Sequence, residues 1–484
     1  MAGKCLGYFN NKNALSDSET FTQEVTVSET SVTTSSITTS VNSGITSKPT
    51  SPSSATDLKT TPSLPQGKCS NIRSVFNLIL TAIGIGVIML PTTFANCGWF
   101  GGLLILFVVA VISNHMVGKI YVAYSSHPKG EAINTYEQLG YVCFGSAGAI
   151  ATAGIVHITM TGCCSTLLLL LGENTQKLIP MAGLSSKVWC CIWAAICWPL
   201  TWLKSLNEVS YVSAFGMAAL IVLFILIVVN GITNGITTDE DNSYDWWIWN
   251  PLEFGVSFGN AMLSYHVTNV LATLIRDMKT PSALPKVATV SYLCIFVIYG
   301  GIAGCGYFGY GNTLVDVPII DRIAPPTGGL DGWGYTCVIS LICLCFPHYI
   351  VLLFPIAASL EYQLLPLPPF KVDDPENAKG TIPIAKRIAV RTVLVAITLV
   401  IAIVVPSVQK LIDLLSVFTM TAMAGILPGI FYIRMRVLNE GSFMTVWKSS
   451  RIELSILFLM MALSGLMIGV GGYEAIVTFY RVPT

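Results

Sequence analysis

Residues Asn71–Trp99 read NIRSVFNLILTAIGIGVIMLPTTFANCGW, and the reading of this stretch decides the fold. It is long and apolar enough to cross a hydrocarbon core about 30 Å thick. Its middle, however, is Gly84-Ile85-Gly86, and Pro91 follows five residues later. An open backbone amide in hydrocarbon is costly, so a spanning helix is not weakened there without compensation. Two compensations exist. The loosened backbone lines a polar cavity and binds a ligand, or the glycines admit a neighbouring helix at close range. The stretch alone leaves both open.

Outward from it, the chain is apolar throughout. A mean hydropathy of +0.68, with 53% hydrophobic and 11% charged residues, excludes an ordinary soluble domain. Eleven spans are expected, near 72–95, 99–124, 147–171, 187–203, 209–231, 252–275, 286–308, 333–358, 384–405, 410–433 and 452–476. The expectation is an all-α polytopic membrane protein surrounded by lipid. A net charge of zero argues against nucleic acid as a partner. The opening residues MAGKCLGYFNNKN hold no apolar core of signal-peptide length, so insertion is expected to start from the first span. Most of the fourteen cysteines, such as Cys163, Cys164, Cys190 and Cys345, lie inside apolar runs and suit buried packing. No metal site and no cofactor are expected.

Residues 1–69 form a separate segment. Between Ser28 and Ser63, twenty-one of thirty-six residues are Ser or Thr, which cannot bury enough apolar area to offset ordering. A disordered tail is expected, either an inert leader or a regulatory segment that meets kinases or other regulatory proteins. The transmembrane domain then covers 70–478. With the tail in the cytosol, fifteen Lys and Arg fall on cytosolic connections and five on the opposite face. That asymmetry supports a cytosolic N-terminus and an odd number of spans.

Span six, PLEFGVSFGNAMLSYHVTNVLATLIRDMKTP from Pro251, matches span one. It carries Gly255 and Gly259, then the polar trio Ser264-Tyr265-His266 near mid-depth. Such groups are expensive in hydrocarbon unless they face a cavity or a partner. Spans one and six also begin two successive groups of five. Matched interrupted helices in two halves point to an inverted-repeat carrier.

These features together resemble the amino acid/auxin permease family of the amino acid–polyamine–organocation superfamily. The resemblance rests on Asn77, Gly84-Ile85-Gly86, Leu90-Pro91 and Gly98-Trp99, then Thr135-Tyr136, Phe144-Gly145 and Pro199-Leu200. Phe254-Gly255, Ser264-Tyr265, Met278-Lys279, Pro281, Glu361, Arg391 and Ile426-Leu427-Pro428 continue it in order. It implies eleven transmembrane helices, the first ten as 5+5 inverted repeats with broken helices 1 and 6. It also implies a secondary carrier of amino acids, here neutral L-amino acids, driven by H⁺ or in some branches Na⁺. The chain departs from the family at His266, where a small residue is usual, and the imidazole is expected to shrink or polarise the pocket.

Unwinding at Gly84, Ile85 and Gly86 would free N–H groups and a positive helix end for a carboxylate. Carbonyls freed in span six would accept from an α-ammonium group, with Ser264, Tyr265 and His266 bordering the pocket. Asn77, Thr81, His157, Ser340 and His348 are candidates for coupling or pocket lining. No Asp or Glu lies at mid-depth by these boundaries, since Glu208 and Asp413 sit near span ends. Histidine titrates near neutrality, and span eight lacks the adjacent hydroxyls that Na⁺ would need. The coupling ion is therefore expected to be H⁺. A sensor that binds without transporting and a Na⁺-coupled carrier remain the alternatives, while an enzyme would need a nucleophile–base pair that the spans lack. The plasma membrane and a vacuolar or lysosomal membrane both fit.

Overall fold

The computed structural model describes residues 67–128, 133–202, 210–237, 243–326, 329–363 and 383–480. Regular structure among them is helical, apart from one isolated backbone bridge between Cys69 and Met278. In chain order the α-helices are α1 (Asn71–Ala82), α2 (Leu90–Ser125), α3 (Tyr136–Leu178), α4 (Ser186–Leu200) and α5 (Ser210–Thr237). There follow α6 (Pro251–Ser264), α7 (Leu271–Asp277), α8 (Leu284–Tyr310), the short α9 (Ile319–Ile323) and α10 (Gly332–Gln363). The chain closes with α11 (Ile384–Val404), α12 (Val408–Leu414), α13 (Leu427–Glu440), α14 (Phe443–Ser449) and α15 (Arg451–Tyr480). Two π-helical stretches, Leu415–Met420 and Ala422–Ile426, join α12 to α13 into one continuous rod.

Among the described residues, eight helices are long and apolar enough to cross a membrane. They correspond to expected spans two, three, five and seven to eleven. The other three differ for identifiable reasons. The expected 187–203 span is a fifteen-residue helix, α4, and the first and sixth stretches are each interrupted midway.

The bend between the first two expected spans is made at Gly98, whose φ of +78° is the left-handed region that a side chain rarely adopts. A Cβ there would also lie 2.8 Å from the Asp245 carbonyl oxygen. The backbone groups freed by the bend are not left open. Trp99 and Phe100 donate to the carbonyls of Asp245 and Trp246 at 3.0 Å each, and Ile248 donates to Cys97 at 3.1 Å. The tryptophan-bearing loop is thereby stitched to the helix turn.

At the opposite end of the first broken stretch, the chain ahead of α1 pairs with the chain behind α7. Gly67 N–H donates to Met278 O at 3.1 Å, Cys69 N–H to Asp277 O at 2.9 Å, and Lys279 N–H returns to Cys69 O at 2.8 Å. Residues 67–69 of the expected tail are thus held against the helical domain, and residues 1–66 lie outside the described residues.

One buried ion pair fixes three helices away from these breaks. Arg391 of α11 pairs with Glu361 of α10 (Nε to Oε1, 2.7 Å) and donates to the Thr201 carbonyl behind α4. Its guanidinium also lies 4.9 Å from the Phe354 ring centre. Both charged residues are buried, so removing one strands the other in a low-dielectric interior. Arg391→Ala is expected to destabilise the detergent-solubilised protein by about 3–5 kcal/mol, read as a large fall in thermal midpoint. An unchanged midpoint would show that the pair carries no structural weight.

Candidate functional site

Helix α1 ends where its sequence loses support. Ile83 closes the last turn by donating to Ile79 O at 3.0 Å, and Gly84 is extended with φ −143° and ψ −160°. A 3₁₀ turn then runs over Ile85–Met89, its first bond joining Val87 N–H to Gly84 O at 3.2 Å. The N–H groups of Ile85 and Gly86 therefore precede the first bond of the new turn, as at any helix start. Pro91 stands in the first turn of α2, where its fixed φ suits the helix that follows the 3₁₀ turn.

Helix α6 ends at Ser264 in the same manner. Tyr265 N–H still reaches Ala261 O at 3.0 Å, but residues 265–267 leave the helix before a 3₁₀ turn, Thr268–Val270, leads into α7. The two breaks touch. A Cβ placed on Gly86 would stand 2.6 Å from Ser264 Oγ and 2.9 Å from Ser264 Cα. Only a glycine lets the two main chains approach so closely.

Helix α8 supplies what the sequence reading missed. The Tyr299 hydroxyl lies 3.0 Å from the Ala82 carbonyl and 2.8 Å from the Ser264 carbonyl, the last residue of each interrupted helix. One proton is shared between two chain ends. Tyr292, two turns earlier on the same face, donates to the Tyr265 carbonyl at 3.2 Å. The Tyr265 ring packs against both, with centroids 6.0 Å from Tyr292 and 5.0 Å from Tyr299. The expected freed carbonyls of span six are present, and tyrosine hydroxyls hold them. A signal for this was available, because Tyr292 and Tyr299 stand seven residues apart in an otherwise apolar run.

Tyr265 also borders a cavity of about 10 Å³ with Ser113, Met116, Thr268, Tyr292 and Pro428. That is room for about one water molecule. The hydroxyls of Tyr265 and Ser113 are buried there without a protein partner among the described residues. Among the described residues no charged side chain borders this cavity.

Of the expected site residues, the fold brings Gly84, Ile85, Gly86, Ser264 and Tyr265 to the paired breaks, with His266 half-buried directly after them. The coupling candidates are placed elsewhere. Asn77 and Thr81 are exposed on α1, where Thr81 Oγ1 donates to Asn77 O at 2.7 Å. His157 Nε2 lies 3.0 Å from Ser359 Oγ, joining α3 to α10. Ser340 is buried in α10, and His348 is exposed on the surface of the same helix. Glu208 lies outside the described residues. Asp413, read as a span-end residue, is buried in α12 against α6.

A family model described as transmembrane amino acid transporter protein matches residues 67–471, which takes in both breaks and the tyrosines that cap them. The chain belongs to the transmembrane amino acid transporter family. It is therefore a transporter-family protein and not an enzyme. Among curated relatives, amino acid transporter AVT1E of Arabidopsis thaliana is 26% identical over 378 residues, covering 75% of this chain and 66% of that protein. AVT1D of the same organism is 25% identical, covering 75% of this chain and 64% of that protein. AVT1J is 24% identical, covering 76% and 84% respectively. The chain thus spans slightly under two thirds of the length of the first two. In fold it is similar to the solved inward-facing conformation of Mhp1, with a TM-score of 0.53 at 11% identity, covering 86% of this chain and 92% of that one. That likeness concerns the fold alone.

Proposed function

We propose that this protein is a proton-coupled carrier of neutral L-amino acids that works by alternating access around the two breaks. The observation that carries the reading is the direct contact between Gly86 and Ser264, with one α8 hydroxyl reaching the last carbonyl of each interrupted helix. In this reading the N–H groups of Ile85 and Gly86 receive the substrate carboxylate, where the positive end of the restarted helix favours an anion. The carbonyls of Ala82, Ser264 and Tyr265 exchange their tyrosine partners for the substrate ammonium group as the site opens. A cavity lining without charge favours a neutral side chain on the substrate.

The membrane arrangement follows the same reading. Eleven crossings, the first ten as two inverted groups of five, place the N-terminal segment in the cytosol of a plasma, vacuolar or lysosomal membrane. The Ser/Thr-rich segment is then available to kinases. Reconstituted protein is expected to accumulate a radiolabelled neutral amino acid when a pH gradient is imposed and to ignore a Na⁺ gradient. Uptake that followed Na⁺ and was indifferent to pH would overturn the proton assignment.

A further inference from the structure

The helix α6 that bears the second break carries a buried acid–amide pair four residues earlier. Asn260 Nδ2 donates to Asp413 Oδ1 of α12 at 2.8 Å, and Ser416 Oγ donates to Asn260 Oδ1 at 2.7 Å. Gln409 Nε2 approaches both Asp413 oxygens, at 3.3 and 3.2 Å. The carboxylate is 6% exposed, and neutral groups make all of these bonds. Among the described residues no Lys, Arg or His forms an ion pair with it. The charges around it are mostly of its own sign. Asp316, in the loop before α9, and Glu253 on α6 both act on it electrostatically as like charges. Glu474 of α15 acts on Glu253 in turn, and Glu173 of α3 borders the same cavity as Gln409. The nearby cations are engaged elsewhere: Lys410 Nζ reaches the Phe479 carbonyl at 3.3 Å, and Lys177 pairs with Asp321 at 2.6 Å. A buried carboxylate so placed is held at high cost unless it takes up a cation.

We propose that Asp413 is the group that binds and releases the coupling proton, and that Asn260 passes its protonation state to the break. This rests on the proton-coupled reading above. Access exists on one side. Gln409 lines a cavity of about 320 Å³ with Glu173, Lys177, Asp316, Asp321 and Ser407. Its Oε1 is buried without a protein partner among the described residues, beside an acid that becomes a donor once protonated. Protonation reverses the polarity of the cluster. An ionised Asp413 only accepts, so Asn260 presents its NH₂ group, whereas a protonated Asp413 donates to Gln409 Oε1 or to a turned Asn260 carbonyl. Turning Asn260 then forces the Ser416 hydroxyl to give up its role as donor to that side chain.

The consequence reaches the substrate site through three contacts. Ser264 Oγ donates to the main-chain carbonyl of Asn260, one helical turn earlier, at 3.0 Å, so a shift of α6 at Asn260 is felt at Ser264; Ser264 O accepts from Tyr299, and Ser264 packs on Gly86. Asp413 also stands just ahead of the π-helical Leu415–Met420, a wide turn of the kind found at functional positions. In the transport cycle the carboxylate takes one proton from water in the cavity and returns it to water on the opposite side, so charge and protons balance.

The test uses full-length protein in proteoliposomes and radiolabelled L-alanine, L-leucine or L-glutamine, whichever the wild type accumulates. A one-unit pH gradient supports about tenfold accumulation for one proton per substrate. Asp413→Asn is expected to lose this accumulation altogether, yet to retain counterflow exchange that no longer varies with pH. Asp413→Glu, which keeps a titratable carboxyl, is expected to restore gradient-driven uptake with a displaced pH profile. If Asp413→Asn exchanges nothing, the glutamate variant decides: a displaced profile supports the assignment and a wild-type profile overturns it. Gradient-driven accumulation that survives in Asp413→Asn removes the site alone. Wild-type uptake that ignores pH removes the proton reading and this site with it.

Discussion

Gly86→Leu is expected to abolish amino acid uptake in reconstituted protein, while the variant should still insert and keep its helical circular dichroism. The cause is the distance between two main chains. Even the first carbon of a side chain at position 86 would stand 2.6 Å from Ser264 Oγ and 2.9 Å from its Cα. The latter is backbone and cannot swing aside. Overpacking of this kind costs about 1–3 kcal/mol for small additions. Gly86→Ala is thus expected to lower kcat/KM roughly ten- to hundredfold, and leucine to remove what remains. Gly84 provides the internal comparison. Its φ of −143° is open to any residue, and a Cβ there meets nothing within 4 Å. Gly84→Ala should therefore lose far less than Gly86→Ala, although the two glycines read alike in the sequence. Equal losses at both positions would mean that helix flexibility, and not the contact with Ser264, sets the requirement.

That comparison shows what the sequence could disclose. Glycines near residue 85 and a polar trio at 264–266 mark where helices fail, because neither pattern is stable in a continuous helix in hydrocarbon. Both breaks were legible for that reason. The purpose of each glycine was not. Gly255 and Gly259 stand on the intact part of α6, where Gly255 meets the backbone of Gly471 and Gly259 that of Val417. They serve close helix packing, and the chain opens six residues beyond Gly259.

Depth along a span also proved a poor guide to burial. Asp413 stands only five residues inside the start of its rod, yet α6, Gln409 and Ser416 enclose it. His348, at the middle of its span, is exposed. A helix that is apolar all round gives no periodic signal of which face is central. Histidine announces itself in a sequence as a titratable group, whereas the tyrosines of α8, which do not titrate near neutrality, are marked only by their regular spacing.

Tyr299→Phe tests whether that spacing matters. The hydroxyl it removes satisfies the last carbonyl of α1 and the last of α6 together. Neither carbonyl belongs to a complete helical turn, and the Ala82 and Ser264 residues are both buried. Each buried acceptor left without a donor costs about 1–3 kcal/mol. In the proposed alternating access the penalty falls mainly on the state in which the two breaks touch, because separated breaks would admit water to the same carbonyls. The variant is therefore expected to shift towards open conformations by roughly tenfold or more. A cysteine introduced at Thr268, which borders the 10 Å³ cavity, reports the shift through its alkylation rate, followed on that peptide by mass spectrometry. In the Tyr299→Phe background the rate should rise about tenfold, and saturating substrate should slow it again. Tyr292→Phe, which releases only the Tyr265 carbonyl, should have a smaller effect in the same direction. Unchanged alkylation and unchanged uptake in Tyr299→Phe would mean that the hydroxyl between the two chain ends is incidental, and that the breaks are held together by the packing of Gly86 on Ser264 alone.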